Sequence, residues 1–316
     1  MKRIFTAAIA AFGLVATTLS ATAKDWSPPG PIKLMIAFAA GGGADTQARL
    51  IAEELENRMG WQFIPEQVTG KGGVNLLAAM KDEPNDGSVI GMVVAESLGY
   101  NLYTANAGMT PSDFTPITST AGTQMGIVSL SSKGWANLND VLDAAKAGET
   151  IRFGTMSARL SDIAYLLGKA QGVDFNIVQV RGGRAVMNGV NAGDMDVGFM
   201  AGIQGKGVAA GDLVNLASAM AEPLKQTPDA PMISEFGVKY DANALFMIAG
   251  PGGMPDEARD ALASAISEVV SDPESKAGAL IQRAFGGALT IQGDDLAAIV
   301  AQGFDESEQL LEAVSQ

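Results

Sequence analysis

Ile32-Lys33-Leu34-Met35-Ile36-Ala37-Phe38-Ala39-Ala40-Gly41-Gly42-Gly43-Ala44-Asp45-Thr46 reads as a strand, a glycine loop and the start of a helix. Ile32 to Phe38 is an apolar run of strand length, and Ala39 to Gly43 breaks it. Asp45 or Thr46 can cap the helix behind the loop. Ala48, Ile51, Ala52, Leu55 and Met59 then recur at helical spacing until Gly60 ends the run. Glu54 and Arg58 lie four apart and can pair on the exposed face.

The same theme repeats downstream. Trp61 to Ile64 reads as a short strand, Thr69 to Gly73 as a second glycine loop, and Asn75 to Lys81 as a helix. Asn85-Asp86-Gly87 is a turn before the apolar strand Val89 to Ala95. Strands come next at Met125 to Leu130, Ile151 to Phe153, Phe175 to Val180 and Asp196 to Met200. Between them lie helices at Leu138 to Ala147, at Asp162 to Gln171 and around Val186, Met187 and Val190. Pro223 to Gly237 reads as a connection, Ala244 to Ala249 as a strand, and Asp256 to Val270, Lys276 to Phe285 and Asp294 to Val314 as helices. Continuous apolar strands alternating with helices predict α/β sheets that are mostly parallel. The layout suggests two similar α/β lobes, with the chain crossing between them.

Met1-Lys2-Arg3, the apolar run Ile4 to Leu19 and the small residues Ala21-Thr22-Ala23 form the pattern of a secretory signal peptide over residues 1–23. The run is short for a membrane span. A mature chain of roughly 290 residues exceeds one typical core. The whole chain carries 21 basic and 35 acidic residues, a net charge of −14. Such a balance favours solubility and speaks against nucleic acid as a partner.

The chain has no Cys and no His. Disulfides, thiolate nucleophiles, Cys-ligated metals and Ser-His-Asp or Cys-His catalysis are thereby excluded. No Walker-type loop, G-x-S-x-G or complete G-x-G-x-x-G is present. No cofactor and no metal is expected, and the chain reads as a binder rather than an enzyme.

Four segments can carry binding. Gly41-Gly42-Gly43 precedes a helix whose first amides and dipole favour an anion. A tight strand-to-helix turn without a ligand explains the same spacing. The dipole contributes about 0.3–1 kcal/mol, whereas micromolar binding needs about −8 kcal/mol. Direct hydrogen bonds and a second enclosing lobe are therefore required. Gly70, Gly72 and Gly73 carry the same two readings. Thr155 and Ser157 offer hydroxyls, and Arg181-Gly182-Gly183 offers a guanidinium beside a glycine pair. For Arg181 the competing reading is plain solvated surface. Ser97, just after a strand, is either a contact or a helix cap. Met156 and Met200 fall near predicted loops and can line an apolar wall.

Across the mature chain these residues resemble the periplasmic receptors of tripartite tricarboxylate transporters, the Bug proteins. The family's strand ending in Pro-Phe-x-x-Gly-Gly-x-x-Asp is matched from Ala37-Phe38 to Asp45, and its Ala-Arg pair by Ala48-Arg49. Its Gly-x-Gly-Gly-x-Asn stretch is matched at Gly70 to Asn75, and its Pro-Asp-Gly turn is echoed by Asp86-Gly87. Asp-Phe-Thr-Pro-Ile stands intact at Asp113 to Ile117. Gly193 to Phe199 and Pro231 to Gly237 match two further elements. Ala37 replaces the usual proline, the second-lobe glycine loop shortens to Gly154-Thr155-Met156-Ser157, and Val-Pro-Tyr-x-Gly becomes Val178-Gln179-Val180-Arg181-Gly182.

The resemblance implies a periplasmic binding protein-like α/β fold of type II, a Venus flytrap. Each of two lobes is a mixed, mostly parallel sheet flanked by helices. Lobe 1 is expected over 24–122 and 242–316, and lobe 2 over 123–241. A small organic acid (a di- or tricarboxylate, or an aromatic carboxylate) is expected between them. Phe38, Gly41, Gly42, Gly43, Asp45 and Thr46 are its implied partners in lobe 1. Ser97, Thr155, Ser157, Arg181, Gly182 and Gly183 join them, with Asp45 expected to cap the helix rather than touch an anion. A monomer delivering its ligand to a membrane permease is expected. Presentation to a membrane sensor kinase and a secreted enzyme are the alternatives.

Overall fold

Strand β1 (Ile32–Ile36) forms where the apolar run predicts it, and its side chains are almost all buried. The protein is described by a computed structural model over residues 26–316. The signal-peptide expectation lies outside the described residues. From β1 the chain runs through helix α1 (Gly43–Met59), strand β2 (Phe63–Gln67), α2 (Val74–Met80), strand β3 (Val89–Val94), and the short helices α3 (Ala95–Leu98) and α4 (Tyr100–Ala105) to strand β4 (Phe114–Gly122). It continues through β5 (Met125–Leu130), α5 (Leu138–Lys146), β6 (Arg152–Thr155), α6 (Ala158–Gln171), β7 (Asn176–Gln179), α7 (Gly183–Ala192), β8 (Val197–Ala201), α8 (Gly205–Ala210) and β9 (Leu213–Ser218). It closes with β10 (Leu245–Pro251), α9 (Asp256–Ser271), α10 (Lys276–Phe285) and α11 (Gly293–Ser315).

The strands form two five-stranded sheets in the orders β2-β1-β3-β10-β4 and β7-β6-β8-β5-β9. In the first, β1 pairs parallel with β2 and β3, while β10 runs antiparallel to β3 and β4. In the second, β6 pairs parallel with β7 and β8, while β5 runs antiparallel to β8 and β9. The sheets therefore share one topology, with a single reversed strand in each. That reversed strand is the one by which the chain enters the sheet after crossing from its neighbour. The crossings lie side by side, with Thr123 N donating to Ala244 O at 2.9 Å.

Each sheet is covered on both faces. In the first lobe, one face packs on α1, α9 and α10 around Ile36, Leu55, Ile248 and Leu262. Its other face packs on α2, α3, α4 and α11 around Met35, Leu77, Val93 and Val300. The second lobe has its own core around Phe153, Phe199 and Leu167. Burial on both faces is why the central strands are continuously apolar.

The short helices α3, α4 and α8 have no counterpart in the sequence expectation, and four further elements differ from it. β2 begins later, at Phe63, and buries only that residue, so it is an edge strand on which Pro65 costs no ladder bond. α6 begins at Ala158 because Ser157 Oγ accepts from Leu160 N at 3.3 Å and caps it. β4 and β9 lie in stretches without a clean apolar pattern, and both are strands because tertiary partners satisfy them. In β4, Thr118, Ser119 and Thr120 are fully buried. Thr120 Oγ1 donates to Gln47 Oε1 at 2.9 Å, and Ile291 N donates to Ser119 Oγ at 2.8 Å.

Candidate ligand cleft between the lobes

The first glycine loop is built by Asp45. Its Oδ2 accepts the Gly41 amide at 2.8 Å, and its Oδ1 accepts Arg49 Nε at 2.8 Å and Gln67 Nε2 at 3.2 Å. The carboxylate is 3% exposed, so it folds the loop back on the helix instead of meeting an anion. Gly41 takes φ +73°, a left-handed conformation that favours glycine. Thr46 Oγ1 donates to Gly42 O at 2.8 Å. The Gly43 and Ala44 amides, at the start of α1, find no backbone acceptor among the described residues. These are the unsatisfied donors that a long helix leaves at its N-terminus. Phe38, half-buried, packs against both cores of the lobe.

The second loop is braced from within. Ser97 is fully buried and its hydroxyl donates to Gly72 O at 2.7 Å, where Asn101 Nδ2 also donates at 3.1 Å. Ser97 therefore holds the loop and does not present its hydroxyl to the cleft. Gly73 adopts φ +103°, and a Cβ there would lie 2.5 Å from Ser97 Oγ.

In the second lobe, Thr155 is also fully buried and shares a hydrogen bond of 2.7 Å with Ser161 Oγ. Its hydroxyl is spent on α6, as that of Ser157 is spent on the cap. Met200 sits wholly in the core and lines no cleft, whereas Met156 packs beside Gly183. Gly182 takes φ +80° as the residue before α7. Arg181 is exposed and makes no ion pair among the described residues.

The contact across the cleft comes from Arg184, which the sequence reading did not single out. Its Nη2 donates to Gly41 O at 2.9 Å, from the first turn of α7 to the first glycine loop. The signal was present, because Arg-Gly-Gly-Arg carries a guanidinium on either side of the glycine pair. Only the helix phase decides which one reaches across. Further bonds link the lobes, among them Tyr240 OH donating to Gln309 O at 3.0 Å. Tyr100 OH donates to Asp162 Oδ2, and Lys225 Nζ donates to Gly286 O at 2.7 Å. Burial, then the hydrogen bond and charge of Asp162, push the Tyr100 hydroxyl well above its usual ionisation range. Burial raises the Asp162 carboxyl, against the lowering hydrogen bond from Tyr100.

A cavity of about 380 Å³ lies behind the cleft, near the crossings, between Thr123, Tyr240 and α11. Glu96, Glu222, Asp241 and Glu306 line it against the single guanidinium of Arg159. That charge balance makes it a poor seat for an anion.

A family model for the tripartite tricarboxylate transporter family receptor matches residues 47–314. The chain belongs to that family. The receptor is similar to a UPF0065 protein of Agrobacterium vitis, with 29% identity over 82% of this chain and 78% of the relative. Its fold matches that of Rpa4515 of R. palustris, solved with adipate, at TM-score 0.78 and 21% identity, over 91% of this chain and 98% of the other. It also matches MatC of Rhodopseudomonas palustris, solved with malate, at TM-score 0.74 and 19% identity, over 91% and 100% of the two chains. The receptor is thus a solute-binding protein and not an enzyme, with the two-lobed fold of periplasmic binding proteins.

Proposed function

We propose that the receptor captures a small organic carboxylate between its lobes, outside the cytoplasmic membrane, and delivers it to the membrane permease of a tripartite tricarboxylate-type transporter. The observation that carries this reading is the pair of glycine-rich helix starts, α1 and α7, joined across the cleft by Arg184 and Gly41. The free amides of Gly43 and Ala44 supply donors for one carboxylate. Gly41, Gly42, Gly182 and Gly183 let backbone and ligand approach closely, while Phe38 supplies an apolar wall. Thr46, Ser157 and Arg181 stand at the rim. Asp45, Ser97 and Thr155 position the loops. The adipate and malate of the two similar structures are small carboxylates of the class proposed here.

In this reading lobe 1 comprises 24–122 and 242–316, lobe 2 comprises 123–241, and the receptor acts as a monomer. A ligand that binds only the folded state stabilises it by about 2.7 kcal/mol at a hundred times Kd. A thermal-shift screen of residues 24–316 against mono-, di-, tricarboxylic and aromatic acids, with sugars and amines as controls, tests the ligand class. A rise with one class of acid supports the proposal, and a rise with sugars or amines alone overturns it.

A further inference from the structure

Arg184 is one of several cations without a carboxylate partner among the described residues, and the one whose side chain crosses from the second lobe to the first glycine loop. Acids outnumber bases 35 to 21, and many of the basic side chains have a carboxylate partner. Arg184 has none among the described residues. Its one hydrogen bond goes to a neutral backbone carbonyl, Gly41 O, in the loop that precedes the open amides of α1. A guanidinium presents five donors in a planar fork and prefers a charged, bidentate acceptor to a single carbonyl. Such a group, exposed and held by one neutral contact, is poised to exchange that contact for a carboxylate.

We propose that Arg184 reads a second carboxylate on the ligand. Its bond to Gly41 O bridges the lobes. With a dicarboxylate bound, one carboxylate lies on the α1 amides and Arg184 turns its fork to the other, which then joins the lobes through the ligand. The bridge to Gly41 O is exposed and weak by itself, so Arg184 gives it up at little cost for a ligand carboxylate. Selection comes from chemistry. A monocarboxylate of the same chain length gains the α1 amides and leaves Arg184 on Gly41 O, whereas a dicarboxylate gains both. This proposal rests on the carboxylate reading above and specifies which carboxylates the cleft prefers.

The test is calorimetric titration of residues 24–316 with succinate, glutarate, adipate and malate, each beside the monocarboxylate of matching length (butyrate, pentanoate, hexanoate). Wild type, Arg184→Ala and Arg184→Lys are compared, with unliganded melting temperature as the check that each variant is folded. In wild type at least one dicarboxylate binds more tightly than its monocarboxylate partner. Arg184→Ala lowers dicarboxylate affinity about ten- to a hundredfold, the weight of one charge-assisted contact, and leaves monocarboxylate affinity within about twofold. Arg184→Lys, which keeps the charge and loses the fork, falls between. Equal losses for both acid classes, or no loss for the dicarboxylate, overturn the role of Arg184 and leave the receptor reading standing. Wild type that prefers monocarboxylates overturns the second-carboxylate proposal alone. Wild type that binds no organic acid overturns both.

Discussion

Two aspartates show how the same residue type is put to different uses. Asp45 is spent on the first glycine loop, where it holds the Gly41 amide and fixes the backbone that carries the α1 donors. Asp45→Ala releases that amide and unpairs Arg49 and Gln67. It is expected to cost about 1–3 kcal/mol of stability and to weaken carboxylate binding, measured by urea unfolding and calorimetry. Asp196 is spent on the second lobe's sheet. Burial alone would raise its carboxyl, but hydrogen bonds from Arg152 and Lys133 and from the Arg152 amide outweigh it. The folded group therefore ionises well below the ordinary 3.8. A depressed carboxyl adds stability that is present above the unfolded value and is lost as pH falls through the folded one. Wild type should thus lose stability below about pH 4, and Asp196→Ala should flatten that acid limb while lowering stability at neutral pH. The sequence marks Asp45 as a helix-start residue that caps, whereas the structure puts the N-cap at Gly42 without a side-chain cap and gives Asp45 the Gly41 amide instead. The ladder of partners around Asp196 was not legible in the sequence, because Lys133 and Arg152 lie far from it along the chain.

Among the elements, the long helices and apolar strands come from periodicity, and the missed strands have one cause. β4 is rich in Thr, Ser and Pro, a composition that reads as loop. It is a buried strand because Gln47, Ser267 and the 289–291 backbone meet its hydroxyls. The second glycine loop is legible as a loop, but its tightness is tertiary. Gly73 is left-handed and has Ser97 where a Cβ would go. Gly73→Ala is expected to cost about 1–3 kcal/mol, and displacing Ser97 should also release Gly72 O. Chemical denaturation reads the cost, and amide exchange confined to residues 70–75 and the α3–α4 region locates it.

In the proposed function the two lobes approach and part at the paired crossings beside Thr123 and Ala244, whose backbones are hydrogen-bonded. The Tyr100–Asp162 bond is the half-buried link between them, away from the glycine loops. The Tyr100 hydroxyl stays protonated through the physiological range, so it remains the donor. Tyr100→Phe leaves the Asp162 carboxyl without that donor and is expected to favour the open form. Small-angle scattering should show a larger radius of gyration for unliganded Tyr100→Phe than for wild type. A bound carboxylate should shrink both, and an unchanged radius in the variant would show that this bond does not govern closure.

The α/β class, the two-lobed plan, the glycine loops and the exclusion of His- and Cys-based chemistry were all readable along the chain. These rest on local spacing, on backbone freedom at glycine and on composition, which need no knowledge of what lies across the chain. The direction of each candidate side chain was decided by tertiary structure alone. Ser97 and Thr155 carry the right chemistry but turn inward, because Gly72 O and Ser161 lie within reach of their hydroxyls. Arg184, two residues into α7, is carried by helix phase and the packing of one lobe on the other to the carbonyl of Gly41. Side-chain direction depends on which partners the fold brings within hydrogen-bond distance, and no spacing along a single chain encodes that.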